Sequence, residues 1–395
     1  MNGAKTQNRV ANEAAISWPA QGASSADAAR VAGFAAGEGS FAAIVVRGIA
    51  AAWAACGPFE WIAVAYLGIS SALIAMFAEN LAHPLRLIGL QALVALIILV
   101  LCRIEAASSR GYDWEAVVHS GKTMNSAPTI AQKFWHFWRH WYPHLFFLFC
   151  FEELSRLVHL VNPGWEDAKL IAFDCWLTGV NPSLWLERFA HPALNEFMQF
   201  SYFTYFLFLL ILGAILYYQR DFQSYWAVMT YSVIGYGFGY IIAMLFPVQS
   251  PWFTLAGQWH EELAGGPFTA LINLIEKCGR VHGAAFPSQH VAGAMAALWG
   301  AWRHRRWLFW IFLPFVACMC VSTVYVRNHY VADVLGGLVT GTLGYLAGRW
   351  VMKKRDTVPL TSQVRCQIAD ETGGAVESSG PEAVSVGPAS CTGAD

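Results

Sequence analysis

The chain has 395 residues, of which 56% are hydrophobic and 13% charged, with a formal net charge of −1. A soluble domain carries about a quarter charged residues, so the composition excludes an ordinary soluble protein, and the near-neutral balance gives no electrostatic basis for nucleic-acid binding. The nine cysteines are scattered, mostly inside apolar runs and without a CxxC pair, so they form neither a disulfide framework nor a zinc site. Cys175 and Cys278 are candidates to pair if they share an oxidising side.

In chain order, residues 1–40 are rich in Ala, Gly and Ser and lack the basic start and apolar core of a signal peptide. They read as a mobile tail. The stretch 41–56 is apolar but short and carries Arg47, which suits a helix lying along the membrane surface. The tail and this helix make up residues 1–55. Residues 56–142 read as an N-terminal transmembrane hairpin and a cytoplasmic loop, residues 143–355 as the membrane domain that carries the chemistry, and 356–395 as a disordered tail too poor in apolar residues to pack. No internal repeat at a fixed period is visible.

Runs such as "WIAVAYLGISSALIAMFA" and "YFTYFLFLLILGAILYY" approach the roughly 20 apolar residues a spanning helix needs. The expected fold is an all-α, polytopic integral membrane helix bundle with about eight transmembrane helices. They fall near 60–79, 85–102, 143–160, 196–218, 224–246, 288–303, 307–326 and 330–350. The third contains Glu152, Glu153 and Arg156, which suit an interhelical salt bridge or a span boundary better than a polar pathway.

Taking the loops alternately, one set holds Arg103, Arg110, Lys122, Lys133, Arg139, Arg220, Arg303, Arg305, Arg306, Lys353, Lys354 and Arg355. The other holds only Lys169, Arg188, Lys277 and Arg280. The positive-inside rule puts the first set and both termini in the cytoplasm, and the loops 80–85, 161–195, 247–287 and 327–329 outside. Trp135, Trp138, Trp141, Trp302 and Trp307 suit interfacial aromatic belts.

Two stretches depart from this apolar background. "HGAAFPSQHVAG" places Ser288 and His290 at the outer start of the sixth span, and "STVYVRNHYVADVLGG" places His329 and Asp333 around the start of the eighth. Between them the chain descends, turns at the basic "RHRR" and climbs back. At about 1.5 Å per residue the two helices have similar lengths, which returns His329 to the face of His290. Asp333, four residues after His329, shares its helix face. Two imidazoles and a carboxylate at one membrane surface suit phosphoryl transfer: one imidazole attacks phosphorus, the carboxylate holds its tautomer, and the other imidazole protonates the departing alkoxide. Ser288 and the free N–H groups opening the sixth span are placed to receive phosphate oxygens, with Pro287 in the first helical turn.

"FPSQHVAG" and "VYVRNHYVADVLGG" resemble the second and third signature motifs of the type 2 phosphatidic acid phosphatase superfamily. They are closest in form to its branch containing inositol-phosphorylceramide synthases, with an inositolphosphotransferase-like domain. The motif-bearing likeness covers about residues 245–350, and a looser one reaches back through "FDCWLTGVNPS" and "FEELSRLVHLVNP" to about 143. The resemblance implies a metal-independent lipid phosphatase or phosphotransferase that needs no cofactor and acts on a membrane lipid. It implies His329 as nucleophile, Asp333 as its orienting partner, His290 as acid and Ser288 as a phosphate ligand. The wider superfamily's first motif carries a Lys and an Arg-Pro pair, whereas the corresponding "LFPVQSPWF" has no basic residue, and Thr323 follows Ser322 where that superfamily has Arg. Arg327, Arg280 and Lys277 are the candidate replacements, Arg327 first, because a guanidinium fork matches phosphate.

Other readings of the same residues are a proton relay in a transporter or channel, a metal held by His329 and Asp333, and, for Asp174 and Asn181 in "FDCWLTGVNPS", a surface helix and turn or a substrate contact. Gly336, Gly337, Gly341 and Gly344 suit close helix packing and no chemistry.

Overall fold

The computed structural model describes residues 41–109, 114 and 127–357. The tail expected over 1–40, the tail expected over 356–395 apart from residues 356–357, which are helical, and the loop charges Arg110 and Lys122 lie outside the described residues. The structure is an all-α polytopic helix bundle: α1 (Phe41–Ala54), α2 (Pro58–Met76), α3 (Pro84–Ser108), α4 (Ile130–Leu157), α5 (Asp167–Thr178), α6 (Pro182–Leu186), α7 (Pro192–Phe203), α8 (Tyr205–Tyr218), α9 (Phe222–Leu245), α10 (Pro251–Thr254), α11 (Pro267–Gly279), α12 (Gln289–His304), α13 (Arg306–Tyr325) and α14 (Val331–Thr357). The chain divides into a unit of residues 1–348, which holds the site below, and a unit of residues 349–395, of which the end of α14 is described.

Among the described residues, six segments are long and apolar enough to cross a membrane: Pro58–Met76, Pro84–Ser108, Pro192–Tyr218, Phe222–Leu245, Arg306–Tyr325 and Val331–Lys354. The other two expected spans are helices of a different character. The third overlaps α4, a 28-residue helix that begins well before residue 143, ends at Leu157 and carries Lys133, Arg139, Glu152, Glu153 and Arg156. The sixth is α12, only 16 residues long, with 11 of them buried inside the bundle. A helix shielded from lipid by its neighbours does not need a full apolar length.

The order of packing follows from residue size. α12 reads "QHVAGAMAALWGAWRH" and its small side chains allow α8, α9 and α13 to pack against it. α14 approaches as closely: a Cβ on Gly337 would lie 2.6 Å from the Ser288 carbonyl oxygen, and one on Gly341 2.5 Å from that of Ala292. α9, the other buried helix, meets α14 where Gly235 faces Gly344.

The expected span 196–218 is divided at Thr204 into α7 and α8. Ser201 and Thr204 turn their hydroxyls back onto the carbonyls of Phe197 and Ser201, at 2.8 and 2.6 Å, a pattern that bends helices. At the N-terminal side of the bundle the buried Glu60 carboxylate accepts from Arg139 and from the Tyr142 hydroxyl, so the charge is paired inside the bundle rather than left bare. Of the expected intramembrane polar group on α4, Glu153 accepts from Gln91 Nε2 at 2.9 Å and Glu152 is exposed.

Candidate active site

The loop between α9 and α10 and the segment leading to α12 run side by side. Val248 N–H donates to the Gly283 carbonyl and Ala285 N–H to the Val248 carbonyl, at 3.2 and 3.0 Å. Gly283 has φ +102, and a Cβ there would meet Val158 and Trp165, so glycine is required on both counts. This ladder sets the Phe286-Pro287-Ser288 approach to α12. Ser288 is the N-cap, its hydroxyl accepting from Val291 N–H at 3.4 Å. Pro287 therefore stands one residue before the cap rather than in the first turn, because the serine hydroxyl takes the capping role. The Ser288 N–H donates to the Asp333 carbonyl at 3.0 Å, which ties the start of α12 to the start of α14.

α13 ends in a tight turn. The N–H groups of Asn328 and His329 both donate to the Thr323 carbonyl, at 3.1 and 3.0 Å, and Arg327 takes φ +68, rare for a residue with a side chain. His329 thus lies in the connection, two residues ahead of α14. Both oxygens of Asp174 on α5 accept from the N–H groups of Val331 and Ala332, at 2.8 and 2.9 Å, satisfying the otherwise bare start of α14. Burial pushes the Asp174 carboxyl above its usual range, against these two donors. Asp174 is thereby a helix cap, and Asn181 caps the short α6 through Leu184 N–H at 3.4 Å.

This scaffold brings three of the expected side chains into one chain of contacts. His290 Nδ1 lies 3.2 Å from His329 Nε2, and His329 Nδ1 lies 3.2 Å from Asp333 Oδ2. The same Asp333 oxygen accepts from Tyr330 N–H at 2.8 Å. Asp333 is fully buried and His329 4% exposed. Burial holds the His329 imidazole down at about 4, so the ring is neutral at physiological pH, as a nucleophile requires.

His290 and His329 line a cavity of about 460 Å³, together with Tyr202, Tyr205, Tyr236, Glu276, Arg280, Gln289 and Asn328. Its other wall is apolar and includes Leu145, Leu148 and Leu210, each of which is also exposed on the bundle surface. The lining therefore joins the two histidines to apolar side chains that are exposed on the bundle surface.

The expected cations are distributed unevenly. Arg280 lines the cavity, pairs with Glu276, lies over the Trp252 ring at 4.6 Å, and leaves its buried Nη1 without a protein partner among the described residues. Arg327 is outside the cavity lining, donating to the Glu261 carbonyl at 2.6 Å, pairing with Glu187 at 3.4 Å and covering the Trp259 ring at 4.0 Å. Those contacts brace the left-handed turn. Lys277 is exposed on α11 and also outside the lining. Among the described residues no three His, Cys, Asp or Glu side chains group as metal ligands. Cys175 is a free thiol, and the side chain of Cys278 lies outside the described residues.

The sequence reading missed Tyr202, whose hydroxyl lies 2.8 Å from His290 Nε2, and the Glu276–Asn328 contact at 2.6 Å. Nothing local marks either one: Tyr202 stands inside an aromatic membrane run 88 residues from His290.

Residues 168–347 match the family model of the PAP2 superfamily. The matched segment runs from α5 into α14 and holds Asp174, Arg280, His290, His329 and Asp333. The match supports a likeness to that superfamily over these residues. No curated protein and no solved structure matches the chain.

Proposed function

We propose that the protein is a membrane-embedded lipid phosphatase or phosphotransferase that cleaves a lipid phosphoester or phosphodiester through a phosphohistidine. The observation that carries this reading is the contact chain His290–His329–Asp333 on a cavity that is also lined by surface-exposed leucines. His329 Nε2 attacks phosphorus, with its Nδ1–H held by Asp333. His290 gives its proton to the leaving alkoxide and later takes one from the incoming hydroxyl. The unpartnered Nη1 of Arg280 makes it the favoured phosphate ligand, ahead of Arg327 and Lys277. Ser288 contributes by fixing the start of α12.

Water as acceptor makes the enzyme a phosphatase; a second lipid hydroxyl makes it a transferase. The first motif without basic residues supports the branch of inositol-phosphorylceramide synthases, and hence transfer. The bias of the basic loops supports an active site on the extracytoplasmic face, with both termini in the cytoplasm. The reading calls for no metal or other cofactor.

The test is to incubate purified protein in EDTA with a panel of lipid phosphates and phosphodiesters, with and without ceramide or diacylglycerol. Release of phosphate or formation of a new phospholipid is expected, with an acid-labile, base-stable phosphoenzyme that His329→Asn does not form. Proton or solute flux in vesicles that persists without any lipid turnover would replace this reading with a transporter.

A further inference from the structure

Resting on that reading, we infer that Tyr202 is the positioning residue of the acid–base histidine, holding His290 at Nε2 so that Nδ1 is the nitrogen that exchanges protons with the reacting oxygens. His290 has two nitrogens and both are engaged. Nδ1 faces the nucleophile's Nε2 at 3.2 Å, and Nε2 faces the Tyr202 hydroxyl at 2.8 Å. His329 Nδ1 is committed to a carboxylate, so it carries the ring proton and His329 Nε2 is the lone pair. In the resting site His290 therefore donates from Nδ1, its Nε2 is bare, and Tyr202 donates to it.

The phosphoryl group enters between the two rings, and His290 Nδ1 is then the nitrogen nearest the reacting centre. As an imidazolium, His290 has protons on both nitrogens. Its Nε2–H now needs an acceptor, and the Tyr202 oxygen supplies one. Loss of the Nδ1 proton to the leaving alkoxide gives a neutral ring that keeps its Nε2–H on Tyr202. The incoming water or lipid hydroxyl returns a proton to Nδ1 as its oxygen attacks phosphorus and the His329–phosphorus bond breaks. The proton that makes His290 an imidazolium is taken from solvent as the phosphate binds and is released again when the product leaves, so no proton is gained or lost over the whole cycle. A phenol serves both stages because its hydroxyl donates or accepts by rotating; a phenylalanine ring serves neither.

Tyr202 is well placed to be rigid. It is 5% exposed and packs with Ile272, Tyr325 and Val326. Its ring also lies 5.0 Å from that of His290. The neighbouring Tyr205 ring lies 4.6 Å from His290, but its hydroxyl goes to Tyr236 at 3.1 Å, so it does not duplicate the bond.

The variant is Tyr202→Phe, which keeps the packing and removes the hydroxyl. Losing the acceptor weakens the charged form of His290, so its pKa in the substrate complex falls. The alkaline limb of kcat, which marks loss of the proton from His290, should move about one unit lower, the equivalent of one charge-assisted hydrogen bond. At pH 7 and above, kcat should fall by about 10-fold or more, with KM changed less than about two-fold. The other titratable groups facing His290 around the cavity, His329, Tyr205, Tyr236, Tyr240, Glu276, Arg280 and, on α4, His144 and Glu152, are unchanged and cancel in the comparison.

The same shift is readable without turnover. In ¹⁵N-histidine-labelled protein with inorganic phosphate present, the His290 resonance, identified by its loss in His290→Asn, should titrate about one unit lower in Tyr202→Phe than in wild type. A folded Tyr202→Phe with the wild-type limb and the wild-type titration overturns the inference while leaving the phosphohistidine reading in place. A titration shift in a protein that turns over no lipid upholds the contact and removes the proposed function.

Discussion

At the scale of single residues, the consequence of burying His329 is a pH dependence. Its pKa is lowered to about 4, so the neutral ring persists as the pH falls below the ordinary histidine range and is lost only as the pH passes through that value. An activated aryl phosphoester isolates this step, because its leaving group needs no proton from His290. With such a substrate, the rate of phosphoenzyme formation is expected to stay level from neutrality to about pH 5 and to fall toward about ten-fold per unit below 4. An acid limb near 6.5 would mean that the ring is hydrated in the working enzyme. Arg327 shows the opposite relation between position and role. It stands two residues from His329 in the chain, yet its guanidinium holds the Glu187 carboxylate and the Glu261 carbonyl. Burial pulls the Arg327 pKa down, against the attraction of Glu187. Burial likewise pushes Glu187 up, but the N–H groups of Glu261 and His260 outweigh it, and that carboxyl ends below its usual range.

At the scale of helices, the site depends on how the start of α14 is held. Asp174 reaches it from α5, and the Ser288 N–H reaches it from α12. Asp174→Ala removes two acceptors from a helix N-terminus, which costs about 1–2 kcal/mol. The melting temperature should drop by about 2–8 °C. Activity should fall further than stability, because His329 and Asp333 flank the loosened turn. Asp174→Asn, which keeps one acceptor, should recover part of both. An Asp174→Ala protein with wild-type melting and rate would show that the cap is not what positions His329. Close packing limits the same region from the other side: any side chain at Gly337 meets the Ser288 carbonyl, so α12 and α14 are held in contact by the absence of a Cβ.

At the scale of the whole molecule, the cavity has exposed Leu145, Leu148 and Leu210 in its lining, an apolar wall suited to the acyl chain of a lipid. If acyl chains pass this wall, filling it should discriminate between substrates. Leu148→Trp is expected to raise KM for a long-chain lipid phosphate by about ten-fold, a loss of about 1.4 kcal/mol of chain contact. KM for a water-soluble aryl phosphoester should stay within about two-fold. Equal effects on both substrates would place the lipid elsewhere. The bundle also explains why α12 is short and small-residued: the helix that carries His290 is enclosed by α8, α9 and α13, and it is positioned by them.

The sequence by itself determined the all-α membrane character, because apolar runs of spanning length with few charges have no soluble alternative. It also singled out His290, His329 and Asp333 as the candidate trio, because a short return between two antiparallel helices brings His290 and His329 together across only 39 residues. The presence of Arg280 in the cavity lining and the absence of Arg327 from it, and the placing of Tyr202 beside His290, were decided only by tertiary structure, as was the use of Asp174 as a cap on a helix 157 residues away. Spacing along a chain predicts contacts within one helix or across one hairpin. It is silent about which side chain a left-handed turn redirects, and about which face a bent helix presents to a partner far along the chain.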